Sequence, residues 1–85
     1  MYRVTIYSTS RCPICIKTKN LLKKWHIRFH EVMLDNDPSR QREFMRITHG
    51  ARTVPQLTID GSWIGGFNEL TEMHMEGKLD ELMEN

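Results

Sequence analysis

Cys12 and Cys15 are the only cysteines in 85 residues, and two residues separate them. A thiol pair at that spacing suits disulfide exchange. One sulfur attacks a disulfide as a thiolate, and the other attacks the resulting mixed disulfide and closes a small ring. The surrounding segment is Ser10-Arg11-Cys12-Pro13-Ile14-Cys15. Proline fits the first position of a helix, where its missing N–H costs nothing and its fixed φ helps start the turn. Cys12 then falls near the N-cap, where its sulfur can accept bonds from the amides of Ile14 and Cys15. The helix start adds about half a positive charge, and Arg11 and Lys17 add more. A Cys12 pKa well below the free value of about 8.5 is expected. Cys15, one turn further in, is expected to be more buried and to stay a thiol until needed.

Other uses of the pair fit less well. Structural zinc takes four ligands. No second cysteine pair exists, and His26, His30, His49 and His74 show no pair at ligand spacing. No metal is expected. A purely structural disulfide around a two-residue loop removes little chain entropy.

The elements that must position the pair are legible around it. Val4 and Ile6 alternate with polar or surface-tolerant neighbours, so residues 3–7 read as a strand. Leu21, Leu22 and Trp25 recur at helical spacing with Lys17, Lys19, Lys23 and Lys24 on the other side. This predicts a helix over residues 13–25 with a solvated basic face. Ile27 to Leu34 carries Phe29, Val32 and Leu34 and reads as a second strand. The crossover is then right-handed and the pairing parallel. Asp37 and Pro38 suit the N-cap and first position of a second helix, with Phe44 and Ile47 as its apolar stripe and Gly50 placed to end it. Arg40, Arg42 and Arg46 lie on this helix, either solvated or, for one of them, in reach of a substrate carboxylate.

Gln56-Leu57-Thr58-Ile59 alternates like a strand, and Asp60-Gly61 signals a tight hairpin to Trp63-Ile64. From the residues alone, Pro55 reads as an ordinary trans proline ahead of a strand. Gly65-Gly66 suits either a plain turn or the close approach of another backbone or ligand. A third helix is expected to start with Asn68 as N-cap, pack through Leu70 and Met73, and end at Gly77. Residues 78–84, with Leu79, Leu82 and Met83, read as a short closing helix.

Composition narrows the class. The chain is long enough for one domain over residues 1–85, with a core near the lower limit for independent stability. Charged residues make up 27% and the net charge is +1, which suggests neither disorder nor a nucleic-acid footprint. No apolar run approaches the roughly 20 residues of a membrane span. Met1-Tyr2-Arg3-Val4 enters a strand at once, so no signal peptide is expected. A single close cysteine pair fits a reducing cytosol, and a cytoplasmic location is expected.

Tyr7 to Cys15 resembles the active-site segment of the glutaredoxins, small proteins of the thioredoxin fold. Thr53-Val54-Pro55 resembles that family's cis-proline loop, and Gly65-Gly66 its glycine pair before the third helix. The motifs follow the family's order and spacing over essentially the whole chain. The resemblance implies an α/β, thioredoxin-like fold: a four-stranded mixed sheet flanked by three or more helices, in the order β-α-β-α-β-β-α. It implies a cis Val54–Pro55 bond facing the cysteines, with Val54 backbone offered to an extended peptide. It also implies a glutathione-dependent thiol–disulfide oxidoreductase with Cys12 and Cys15 as the catalytic, redox-active pair. Arg11, Pro13, Ile14, Thr53, Val54, Pro55, Gly66, Phe67 and Asn68 would contact glutathione, a cosubstrate rather than a tightly bound cofactor. The expected partners are disulfide-bonded or glutathionylated proteins, ribonucleotide reductase among the candidates. Neither nucleic acid nor membrane is expected as a partner, and the protein is expected to be a monomer.

Three positions depart from the family's pattern. Ile14 stands where tyrosine is usual, Thr9 where lysine is common, and Asn68 where an acidic residue is usual. Asn68 favours the alternative of a glutaredoxin-like electron donor to ribonucleotide reductase, itself reduced by thioredoxin reductase. A further alternative is an iron–sulfur carrier sharing a cluster between two chains through Cys12 and two glutathiones; the stiffness of Pro13 argues against it. The last is a binding module with an idle cysteine pair.

Overall fold

The computed structural model describes residues 2–83. The elements are β1 (Val4–Ser8), α1 (Pro13–Lys24), β2 (Phe29–Met33), α2 (Pro38–Ile47), β3 (Gln56–Ile59), β4 (Ser62–Gly65) and α3 (Phe67–Met75). The strands form one sheet in the order β2-β1-β3-β4. β1 pairs parallel to β2, from Val4 opposite Phe29 to Ser8 opposite Met33. It pairs antiparallel to β3, and β3 pairs antiparallel to β4. This is the expected mixed sheet in the expected element order. The Asp60-Gly61 turn has positive φ at both residues, 52° and 84°, the backbone of a two-residue hairpin loop.

β1 is central and covered on both faces, so its residues are buried beyond simple alternation: Val4, Ile6, Tyr7 and Ser8 all lie inside. One face packs Val4 and Ile6 with Leu22 of α1, Leu57, Leu70 of α3, Ile27 and Leu79. The other packs Tyr7 with Leu34 and Phe44 of α2. The result is three layers, with α1 and α3 opposite α2. The closing segment is only a single 3-10 turn, Asp80–Leu82. Leu79 just before it is fully buried, and residue 84 of the expected helix lies outside the described residues.

The basic face of α1 is less uniformly solvated than expected. Lys19 pairs with Glu31 on β2, and the Lys17 ammonium sits 4.9 Å from the centre of the Phe67 ring. The buried face is made by Cys15, Thr18 and Leu22. Thr18 fits because its hydroxyl donates to the Ile14 carbonyl at 2.7 Å.

Helix ends show a second difference. α2 was expected to stop at Gly50, but its C-cap is Thr48, and His49 takes the left-handed position with φ 53°. The Gly50 amide then donates back to the Met45 carbonyl at 2.9 Å. α1 ends the same way, with His26 at φ 58° and the Ile27 amide on Leu22. Both are Schellman motifs with histidine where glycine is usual. At the end of α3, Gly77 does hold that position, at φ 76°.

A side chain in left-handed backbone is strained, and glycine is not. His26 is exposed and its ring is free to go. His26→Gly should therefore raise stability by about 0.5–1 kcal/mol, read as a higher urea midpoint at unchanged slope.

Candidate active site

Cys12 is the N-cap of α1, with φ −120° and ψ 102°. Its sulfur takes the role usually played by a serine or aspartate oxygen. The Cys15 amide donates to it at 3.1 Å. Of the two amides expected to reach the sulfur, this is the one that does. Pro13 occupies the first helical turn as expected. On its other side, the Cys12 thiol points at the Val54 carbonyl, 3.7 Å away.

Cys15 is fully buried while Cys12 is partly exposed. Burial pushes the Cys15 thiol up to about 12, and its hydrogen bond with Cys12 acts the same way. A backbone bond from Thr9 and the charge of Lys19 work against this. The two sulfurs thus sit in opposite settings: one at a helix start facing solvent, the other inside.

The loop carrying Cys12 is tied down from the turn that follows β2. Asp35 accepts from the Ser10 amide at 3.0 Å and from the Ser10 hydroxyl at 2.6 Å. The Ser10 hydroxyl holds the Asp35 carboxyl below its ordinary range, with help from the Ser10 amide.

The Val54–Pro55 bond is cis, as the family resemblance implied. Gln56 braces this loop: its amide nitrogen donates to the Thr53 carbonyl at 3.2 Å, and its oxygen accepts from Trp63 Nε1 at 2.8 Å. Gly66 crosses directly against the loop. A Cβ built there would stand 2.9 Å from the Pro55 carbonyl oxygen, so Gly66 marks a backbone-to-backbone approach and not merely a turn.

α3 begins earlier than expected. Gly66, not Asn68, is its N-cap. Glu69 explains the difference: its carboxylate accepts from the Gly66 amide at 2.7 Å. That is one half of a capping box, and glycine has no side chain to return the other. Asn68 lies in the first turn and is exposed.

These pieces enclose a cleft of about 240 Å³ lined by Ile14, Thr53, Val54, Pro55, Gln56, Gly66, Phe67, Asn68 and Glu69. Ile14, Thr53, Val54, Pro55, Gly66, Phe67 and Asn68 were expected there. Gln56 and Glu69 line it as well; the sequence pattern marks Gln56 only as a strand residue. Arg11 and Pro13 do not line the cleft; both are exposed on its cysteine side. Arg40 is turned toward its own helix start, on Asp37 at 3.4 Å and the Met33 carbonyl at 3.3 Å. Arg42 and Arg46 are exposed and do not line the cleft. No group of three or more metal-ligating side chains occurs among the described residues.

The glutaredoxin family model matches residues 4–64. The chain belongs to the glutaredoxin family. Glutaredoxin 1 of Rickettsia conorii is 35% identical over 100% of the chain and 84% of its own length. A glutaredoxin of Pseudomonas aeruginosa is 39% identical over 94% of each. Among solved structures, the buckwheat glutaredoxin–glutathione complex superposes with a TM-score of 0.81 at 28% identity, covering 95% of this chain and 76% of that one. The solution structure of Brucella melitensis glutaredoxin gives 0.79 at 34% identity, covering 98% and 89%. Glutaredoxin membership, with Cys12 and Cys15 as its redox-active pair, makes the protein a thiol–disulfide oxidoreductase.

Two outcomes follow from this geometry. Gly66→Ala drives a methyl onto the Pro55 carbonyl and should cost about 1–3 kcal/mol by chemical denaturation; an unchanged midpoint would show that the two backbones separate freely. The buried Cys15 sets a pH dependence. Burial pushes its thiol from the free value of about 8.5 up to about 12 in the native protein. Between these values only the unfolded chain has lost the proton, so stability falls as pH rises through that window. The reduced protein should lose stability above about pH 9 more steeply than Cys15→Ser does. Parallel curves would count against the burial argument.

Proposed function

We propose that this glutaredoxin reduces protein disulfides and protein–glutathione mixed disulfides in the cytoplasm, with glutathione as its reductant. The observation that carries the reading is the placement of the Cys12 sulfur. It is the one reactive group that is partly exposed, receives an amide at a helix start and faces the Val54 backbone across the cleft.

Cys12 attacks the disulfide sulfur as a thiolate. The helix start and the Cys15 amide favour negative charge on that sulfur. One substrate sulfur joins Cys12, and the other leaves as a thiolate and takes up a proton. A substrate backbone pairs with Val54 as a short added strand. The cleft suits the tripeptide: its γ-glutamyl carboxylate suits the amides at the start of α3, and Glu69, which lines the same cleft, offers the ammonium a carboxylate. Glutathione then resolves a mixed disulfide on Cys12, or Cys15 does so from within. Ribonucleotide reductase is among the protein substrates this chemistry would serve.

A second reading is favoured by one residue. Asn68 lines the cleft with no charge of its own, which weakens the hold on the ligand ammonium. On that reading thioredoxin reductase, not glutathione, supplies the electrons.

The deciding measurement is NADPH consumption with glutathione plus glutathione reductase, run beside thioredoxin reductase alone. Turnover of a small glutathione mixed disulfide in the first system only supports the proposal; turnover in the second only replaces it with the alternative. Cys12→Ser should lose all exchange. Cys15→Ser should lose protein-disulfide reduction and keep deglutathionylation, and loss of both would sink the assigned division of labour. Asn68→Asp should lower the KM for glutathione about fivefold.

A further inference from the structure

Lys19 and Glu31 form an ion pair drawn in from solvent, with side chains only 24% and 29% exposed and Nζ 2.7 Å from Oε2. A third group fixes the same oxygen: the hydroxyl of Ser8, fully buried on β1, donates to it at 2.7 Å. Burial works to raise the Glu31 carboxyl, yet the Lys19 ammonium and the Ser8 hydroxyl hold it below its ordinary range. The 2.7 Å ion pair is thus partly withdrawn from water, which costs desolvation and is more than a surface-stabilising role requires.

Its position explains the expense. Lys19 follows Cys15 by four residues, so both project from the same face of α1. That face is turned to β1 and β2. A resolving thiol needs to ionise, and apolar burial opposes it. The Lys19 ammonium, one turn away and fixed by Glu31, is the compensating element.

We infer that Lys19, oriented by Glu31 and Ser8, is a positioning residue whose charge stabilises the Cys15 thiolate during the resolving step. The inference rests on the dithiol reading above. In that step Cys15 releases its proton to solvent and attacks the Cys12 sulfur of a mixed disulfide. The Cys12–Cys15 disulfide forms, the bond from Cys12 to the substrate sulfur breaks, and that sulfur leaves with the electron pair and takes up a proton. The ionisable groups acting on Cys15 are Cys12 and Lys19, while Thr9 contributes backbone only. Glu31 of β2 pairs with Lys19, Lys23 of α1 acts on Glu31, and Ser8 of β1 is neutral.

The pair has a signature that a merely structural bridge lacks. Removing Lys19 withdraws the cation from Cys15. Removing the charge of Glu31 leaves that cation unneutralised. The two changes push Cys15 in opposite directions.

The test is stopped-flow reaction of the reduced protein with the aromatic disulfide 5,5′-dithiobis(2-nitrobenzoate). The first release of coloured thiolate reports attack by Cys12. The second reports resolution by Cys15. Lys19→Met should slow the second phase about tenfold at neutral pH and move its pH midpoint up by about one unit, with the first phase unchanged. Lys19→Arg should restore the second phase, and Glu31→Gln should move its midpoint down. The inference is overturned by an unchanged second phase in Lys19→Met, by equal slowing of both phases, or by Lys19→Met and Glu31→Gln shifting the midpoint the same way. A second phase that survives Cys15→Ser would instead overturn the dithiol reading itself.

Discussion

Cys12 caps α1 with its sulfur, and the rest of the site is arranged around that bond. A helix start leaves amides without partners, and something must accept from them. Here the acceptor is the reactive atom. The need to cap the helix and the need to hold a negative sulfur are met by one amide, that of Cys15. Pro13 makes the arrangement local, because it sets the helix start directly after the cap.

The cap has value only if it is held against the opposite wall of the cleft. That task falls to backbone contacts and short polar side chains. Asp35 fixes the loop ahead of Cys12 through both polar groups of Ser10. Gln56 spans from Thr53 to Trp63 and steadies the cis-proline loop. Gly66 lets α3 start against the Pro55 carbonyl. The Ser10–Asp35 tie and the Gly66–Pro55 approach join separate segments of the chain, so the cleft is complete only once the sheet has brought β1, β3 and β4 together.

The two cysteines share a helix turn but not an environment. Cys12 meets solvent and Cys15 belongs to the core. Burial protects Cys15 from stray chemistry and also suppresses its ionisation. The Lys19–Glu31–Ser8 cluster lies beside the same buried face, where a charge acts at reduced screening.

The sequence by itself determined the strand-and-helix order, the hairpin at Asp60-Gly61 and the cysteine pair at a helix start. Those features rest on local rules: the two- and 3.6-residue periods, the fixed φ of proline, and the turn preference of Asp-Gly. The cis Val54–Pro55 bond came from family resemblance, since the residues alone favour trans. The folded structure settled which local bond closes each helix end and which charges meet between elements. Glu69 reaching back to Gly66 moved the start of α3 ahead of Asn68. The Schellman bonds of Ile27 and Gly50 placed histidines in left-handed backbone. Packing of α1 on the sheet turned Lys19 from a surface charge into the partly buried partner of Glu31. Composition and periodicity leave these open for two reasons: several local bonds compete to close a helix end, and the Lys19–Glu31 contact joins two elements that only packing brings together.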